Sequence, residues 1–327
     1  MKAFELRDYV GPGGLVLADV ARPPERDDQV LMAVEAVGIN FPDLLLTKGT
    51  YQYKPELPTV PGCELAGRVE SAPAGSGFTA GDKVAGFVWS GAFAEYAGVP
   101  LHSIAPIPAG LSVEEAAGTM VNYHTALFAL QHRGGLEAGE NVLVMGAAGG
   151  VGTAAIQVAR GLGAHVVAGV SSEKRIGIAR QAGAHEVLLL KEGFAPEVRD
   201  LSAGGRGIDV VVDPVGSWLF SEALRTLEPD GRIIVIGFAA GDIPSVAVNR
   251  VLLRNISVVG AAYGAFHDLD HGLMARQTET LADLVAAGHV RPVIEGVYDF
   301  EGLPELLLKL DRGEVAGKAV VSLRSGA

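Results

Sequence analysis

The sequence predicts an α/β protein of two domains, one β-rich and one built on a doubly wound parallel sheet. Residues 1 to about 120 hold β-type segments broken by proline and glycine, and from about 121 to 265 short apolar strands alternate with helical stretches. Within the second region, the run Val142 to Ala159 passes from a buried strand through a cluster of glycines into a helix.

Taken in order, the β-type segments of the first region are Leu15 to Val20, Gln29 to Val37, Glu64 to Glu70, Lys83 to Val88 and Ala92 to Val99. Their irregular spacing fits a β-rich barrel. The parallel sheet is expected from Val142–Val144, Val166–Val170, Val187–Leu190, Val210–Val212, Ile233–Ile236 and Ile256–Val259. After a long helix around Asp270–Ala287, β character returns at Ile294–Phe300 and Ala319–Leu323, so the tail is expected to rejoin the first domain. The expected boundaries are 1–122 with 267–327 for the first domain and 123–266 for the second, with substrate held in the cleft between them.

The totals exclude several classes. At 327 residues, 49% hydrophobic and 20% charged, the chain can bury two cores. A net charge of −12 with scattered cations argues against a nucleic-acid partner. Cys63 is the only cysteine, which removes intrachain disulfides and every cysteine-based structural zinc site. Charges within the first eight residues and the lack of an apolar leader predict a cytoplasmic protein with no membrane partner. The uncharged stretch Asn141 to Ala159 carries four glycines, Thr153 and Gln157, so it is not expected to span a bilayer. No metal is expected; His267 and His271, spaced i, i+4 beside Asp268 and Asp270, also fit the solvated start of a helix.

The glycine run is the strongest local signal. Gly149, Gly150 and Gly152, with Ala148 and Val151 between and beside them, would let a pyrophosphate sit on the helix N-terminus, held by backbone amides. Ala147 breaks the strict Gly-x-Gly-x-x-Gly pattern, but Gly161 to Gly163 and the apolar strand after them complete a βαβ unit. A carboxylate usually closes the second strand when the 2′-hydroxyl of NAD is bound. Here Ser171, Ser172, Lys174 and Arg175 stand there, a set suited to a 2′-phosphate and hence to NADPH. Ser172 could instead cap the next helix, with the two cations solvated and Glu173 weakening the pocket.

Several ordered segments then bear a family likeness: Gly38-Ile-Asn40-Phe-Pro-Asp43 with Gly49-Thr-Tyr51, Pro61 to Gly67, Gly81 to Val84, Ala147 to Gly152, Asp213-Pro-Val-Gly216, and Gly317-Lys318. Over nearly its whole length the chain resembles the zinc-free quinone oxidoreductases of the medium-chain dehydrogenase/reductase superfamily. The resemblance implies a GroES-like catalytic domain with a Rossmann cofactor domain inserted. It implies that Asn40, Asp43, Tyr51 and Thr125 lie near nicotinamide and substrate, that Val215, Gly237, Phe238 and Lys318 join the cofactor site, and that the protein is a homodimer. In the zinc-dependent alcohol dehydrogenases of the same superfamily the catalytic metal is held by cysteine, histidine and cysteine. The corresponding positions here are Asn40, Cys63 and Val121, which predicts no zinc.

The expected chemistry is NADPH-dependent reduction of a quinone by hydride transfer, with Tyr51 as phenolic donor, Asn40 as amide donor, Thr125 touching the nicotinamide or its ribose, and Asp43 orienting its neighbours. A quinone tolerates the lack of a strong general acid, because its reduced form is a stabilised phenolate. Two alternatives stand beside it: reduction of conjugated enones, enals or enoyl-CoA thioesters, for which Lys48 and Lys54 are the candidate phosphate contacts, and a non-catalytic NADPH-binding role.

Overall fold

The computed structural model of the chain describes residues 1–324. They divide into two compact units: Met1–Val121 with Asp270–Val285 and the chain from Ile294 on, and Asn122–Leu269 with Ala286–Val293. The sequence reading places Asn122, 267–269 and 286–293 in the first domain; the structure groups all of these with the second.

The first unit contains the strands β1 (Lys2–Leu6), β2 (Leu15–Asp19), β3 (Gln29–Gly38), β4 (Glu64–Ser71), β5 (Lys83–Phe87), β6 (Tyr96–Pro100), β7 (Ile104–Pro106), β14 (Ile294–Asp299) and β15 (Lys318–Ser322). Seven of them form one sheet, ordered β14-β15-β3-β4-β5-β7 with β6 paired to β3, and β1 and β2 form a separate hairpin. The tail returns as expected: β15 runs antiparallel to β3, with Val320 opposite Gly38. That pairing sets Lys318, at the start of β15, beside the end of β3 and the start of β4.

The second unit is a six-stranded sheet, all parallel: β8 (Asn141–Met145), β9 (His165–Val170), β10 (Glu186–Leu189), β11 (Ile208–Asp213), β12 (Leu227–Val235) and β13 (Ser257–Gly260), ordered β10-β9-β8-β11-β12-β13. The central strands are continuous runs of Val, Leu and Ile because both faces are covered; Val142 to Met145 and Val210 to Val212 are fully buried. The order reverses between β8 and β9 on one side and β11 on the other. Ligands of such sheets bind at that switch point, outside the carboxyl ends of the strands. No helix among the described residues is long and apolar enough to cross a membrane.

Candidate active site

In the first unit, β3 ends at Gly38 and the chain enters the short helix Phe41–Thr47. Pro42 fits its first turn, and Asp43 Oδ2 reaches back to accept the Asn40 N–H at 2.8 Å. The Asn40 amide is held on every side. Its Nδ2 donates to Glu64 Oε2 at 2.9 Å and to the Gly38 carbonyl at 3.1 Å, with Cys63 Sγ at 3.6 Å. Its Oδ1 accepts from Lys318 Nζ at 2.6 Å. Lys318 Nζ also lies 2.5 Å from Glu64 Oε2, and Glu64 Oε1 accepts the Val121 N–H at 2.9 Å. Asn40, Asp43, Cys63, Glu64 and Lys318 are all buried.

This geometry corrects two expectations. Lys318 is not available as a cofactor-binding cation, because its ammonium is buried and committed to Glu64 and Asn40. Asn40 is not an available amide donor, because both amide hydrogens are spent inside the unit. Sequence reasoning misses Glu64 as a member of the cluster. Its signal is an acid at the head of an apolar strand, which once buried must find a cation.

Electrostatics follow from that burial. Asp43 is pushed up to about 6, chiefly by desolvation, against the pull of the Asn40 N–H, the Cys63 thiol and the Lys318 charge. Burial, then the nearby Asp43 and Glu64 charges, push the Cys63 thiol up, so it stays protonated. Tyr51 is pushed up to about 12, first by burial and then by Cys63 and Asp43. Its hydroxyl forms no hydrogen bond among the described residues. Within the same unit Trp89 packs 5.5 Å from Tyr53 and 5.3 Å from Phe87, ring centre to ring centre.

In the second unit, β8 runs into the helix Gly150–Gly161, whose N-cap Gly149 offers no side chain. Gly152 is required by close approach: a Cβ there would stand 2.2 Å from the Gly146 carbonyl oxygen. Gly146 itself has φ +60° and lies under Val215, whose methyl would meet a Cβ at 2.8 Å. The turn after β11 is fixed by Asp213, whose Oδ1 accepts the Val215 and Gly216 N–H groups at 2.9 and 2.8 Å. Val215 is half-buried and Phe238 exposed; Ala239 and Ala240 donate backbone bonds to Pro214 and Val215, so the 214–216 and 237–240 loops are tied together.

At the end of β9, Ser171 and Lys174 are exposed, and Ser172 and Arg175 half-buried. Ser172 precedes the short turn Glu173–Arg175 but makes no side-chain cap there, so its hydroxyl is not spent as a helix cap. Thr125 is buried on the helix Asn122–Leu127. A glycine-walled helix N-terminus with uncommitted amides, at the switch point of a parallel sheet, fits a dinucleotide.

The position of a catalytic zinc is poorly furnished in the first unit. Of the three positions a catalytic zinc would need, Val121 has no ligand atom and the Asn40 amide is fully bonded. His271 stacks on His102 at 3.9 Å, whereas His267 packs beside Tyr263. Among the described residues no group of three acids, cysteines or histidines is placed to hold a metal ion.

Comparison with known proteins agrees with this anatomy. Residues 26–109 match the model for the alcohol dehydrogenase GroES-like domain, and residues 150–278 the model for zinc-binding dehydrogenases. Quinone oxidoreductase-like protein 2 of Bos taurus is 36% identical over 312 residues, covering 95% of this chain and 89% of that protein. A probable oxidoreductase from Mycobacterium abscessus superimposes with a TM-score of 0.90 at 43% identity, over 98% of both chains. The quinone oxidoreductase of Thermus thermophilus, solved also with NADPH, gives 0.85 at 35% identity over 99% of this chain and 100% of that one.

Proposed function

Because the chain belongs to the quinone oxidoreductase-like group of the medium-chain dehydrogenase/reductase superfamily, and is thereby an oxidoreductase with a nicotinamide cofactor, we propose that it reduces quinones with NADPH and without zinc. The observation that carries the quinone reading is Tyr51. Its phenol is half-buried and unbonded, and held at about 12 it can donate a hydrogen bond but not surrender its proton near neutrality. That suits an acceptor whose reduced oxygen is stable as an anion and takes its proton from water.

Gly149, Gly150, Val151 and Gly152, with Ala148 before them, would hold the pyrophosphate, and Ser171, Ser172, Lys174 and Arg175 the 2′-phosphate. Val215, Gly237 and Phe238 are assigned to the wall of that site, and Thr125 to the nicotinamide half. When bound, NADPH supplies a hydride. Tyr51 Oη then stabilises the oxyanion that develops on the acceptor. Asp43 and the buried Asn40–Glu64–Lys318 cluster fix the helix beside it; they do not exchange protons with the acceptor.

The thioester reading has the weaker support. Lys48 pairs with Asp311 at 2.7 Å and Lys54 sits over the Tyr9 ring at 4.6 Å, so each candidate phosphate contact already has a partner within the fold. The NADPH and zinc-free readings rest on the serines and cations after β9 and on the occupied Asn40 position. We also propose a homodimer: Val248, Leu252 and Leu253 are exposed on the helix Val248–Arg254, and Val258 is exposed on β13, an outer strand of the parallel sheet. The test of function is steady-state NADPH oxidation with a flat ortho-quinone, a simple enone and a short enoyl-CoA offered in parallel. Turnover of the quinone in clear excess supports the reading; preference for either other acceptor moves the substrate class.

A further inference from the structure

Asn122 begins the helix Asn122–Leu127 within the second unit, in a stretch where its neighbours Tyr123 and His124 are fully packed. It is only 5% exposed. Its amide nonetheless forms no hydrogen bond among the described residues. The residue is packed, but its amide keeps an edge on solvent, where a ligand can reach it.

The amide is directed at one place. Its Nδ2 lies 2.4 Å from where a Cβ on Gly150 would stand, closer than its Cγ at 3.1 Å or its Oδ1 at 3.3 Å. Gly150 does not have a positive φ, so backbone freedom does not explain the glycine; room for Asn122 does. Gly150 is the first residue of the 12-residue helix whose N-terminal amides lack acceptors and whose N-cap provides none. A donor without a partner therefore lies beside donors without partners, an arrangement that an acceptor-rich anion completes.

We propose that Asn122 is a cofactor-binding residue, its Nδ2 donating a hydrogen bond to the pyrophosphate held at the start of the helix Gly150–Gly161. The proposal rests on the dinucleotide reading of that site. The ligand chemistry is a diphosphate diester, bound by neutral donors and the helix dipole, since the motif itself contains no cation. Asn122 adds the one side-chain donor to a set otherwise made of backbone.

Dissociation constants of NADPH and of 2′-phospho-ADP-ribose, which keeps the pyrophosphate and lacks the nicotinamide, test this by titration calorimetry on the full chain. Asn122→Ala is expected to weaken both ligands about tenfold. Asn122→Asp, nearly the same shape but charged, is expected to weaken both about a hundredfold while the melting temperature stays near that of the parent. Asn122→Ser serves if either variant folds poorly, with loss between parent and alanine. Unchanged affinities for both ligands in the aspartate variant overturn the proposal, as does a loss confined to NADPH, which would put Asn122 at the nicotinamide end. Failure of the parent protein to bind either ligand would instead overturn the dinucleotide reading itself.

Discussion

Lys318 Nζ stands 2.5 Å from Glu64 Oε2, with the two side chains only 4% and 0% exposed, and the Asn40 amide bridges them. The pair joins the first residue of β15 to the first residue of β4, two segments 254 residues apart in sequence. The positive charge sits against the asparagine that occupies a zinc-ligand position in the metal-dependent relatives. A dication placed there would face an ammonium that already satisfies the carboxylate.

Removing one partner of a buried pair leaves the other uncompensated. Lys318→Met is expected to lower unfolding free energy by about 3–5 kcal/mol. Lys318→Met combined with Glu64→Gln should recover much of that loss. Chemical denaturation of the two single variants and the double variant checks this; strictly additive losses would show that the two charges are not coupled.

Asp43 gives stability a defined pH signature. Folded, it titrates at about 6, above its ordinary 3.8, so the native state holds the proton more tightly than the unfolded chain. Its contribution is full below about 4 and is lost as pH rises through about 6, a difference of about 3 kcal/mol. Asp43→Asn should remove that slope. The stability difference between the parent and this variant, measured from pH 4 to 7, isolates the group from other carboxylates; a flat difference would contradict the assignment.

Tyr51→Phe removes the donor and keeps the ring. Quinone turnover is expected to fall about tenfold to a hundredfold with the Kd for NADPH changed less than about twofold. The parent's rate should show no Tyr51 titration below about pH 10, since the phenol is held near 12. Loss of cofactor affinity in this variant would mean that Tyr51 serves binding and not the acceptor.

Cofactor choice is expected to reside in the turn after β9. Lys174→Ala with Arg175→Ala should weaken NADPH about tenfold to a hundredfold and leave NADH within about threefold. Equal losses for both cofactors would show that the two cations do not read the 2′-phosphate.

The exposed apolar residues of the helix Val248–Arg254 carry the assembly prediction. Leu252→Glu with Leu253→Glu, at two exposed apolar positions, should convert a dimer to a monomer by light scattering with the fold intact by circular dichroism. A parent protein that is monomeric at micromolar concentration would refute the dimer.

The parallel sheet was legible because its central strands are apolar on both faces and helical stretches separate its strands cleanly. Less legible were β1, whose Lys2 and Glu5 interrupt its apolar residues, and β7, three residues ending in Pro106 that depend on pairing with β5. The helix Leu303–Asp311 also goes unread, although its buried Leu303, Leu306 and Leu307 fall at helical spacing. In the site, Asn40, Asp43 and Tyr51 are found through motif likeness, but their roles depend on partners distant in sequence. Nothing local to Asn40 announces that Lys318 and Glu64 will consume its amide. Likewise, Asn122 reads as one of several polar residues, with Thr119, His124 and Thr125 close by, until Gly150 is set against it.

The most direct measurement is NADPH oxidation by a flat ortho-quinone, using protein stripped with a chelator and shown by mass spectrometry to contain negligible zinc. Turnover at full rate, unchanged when zinc is added back, is the expected result. Activity that appears only with added zinc, or tight NADPH binding with no reduction of any quinone, would contradict a metal-free quinone reductase.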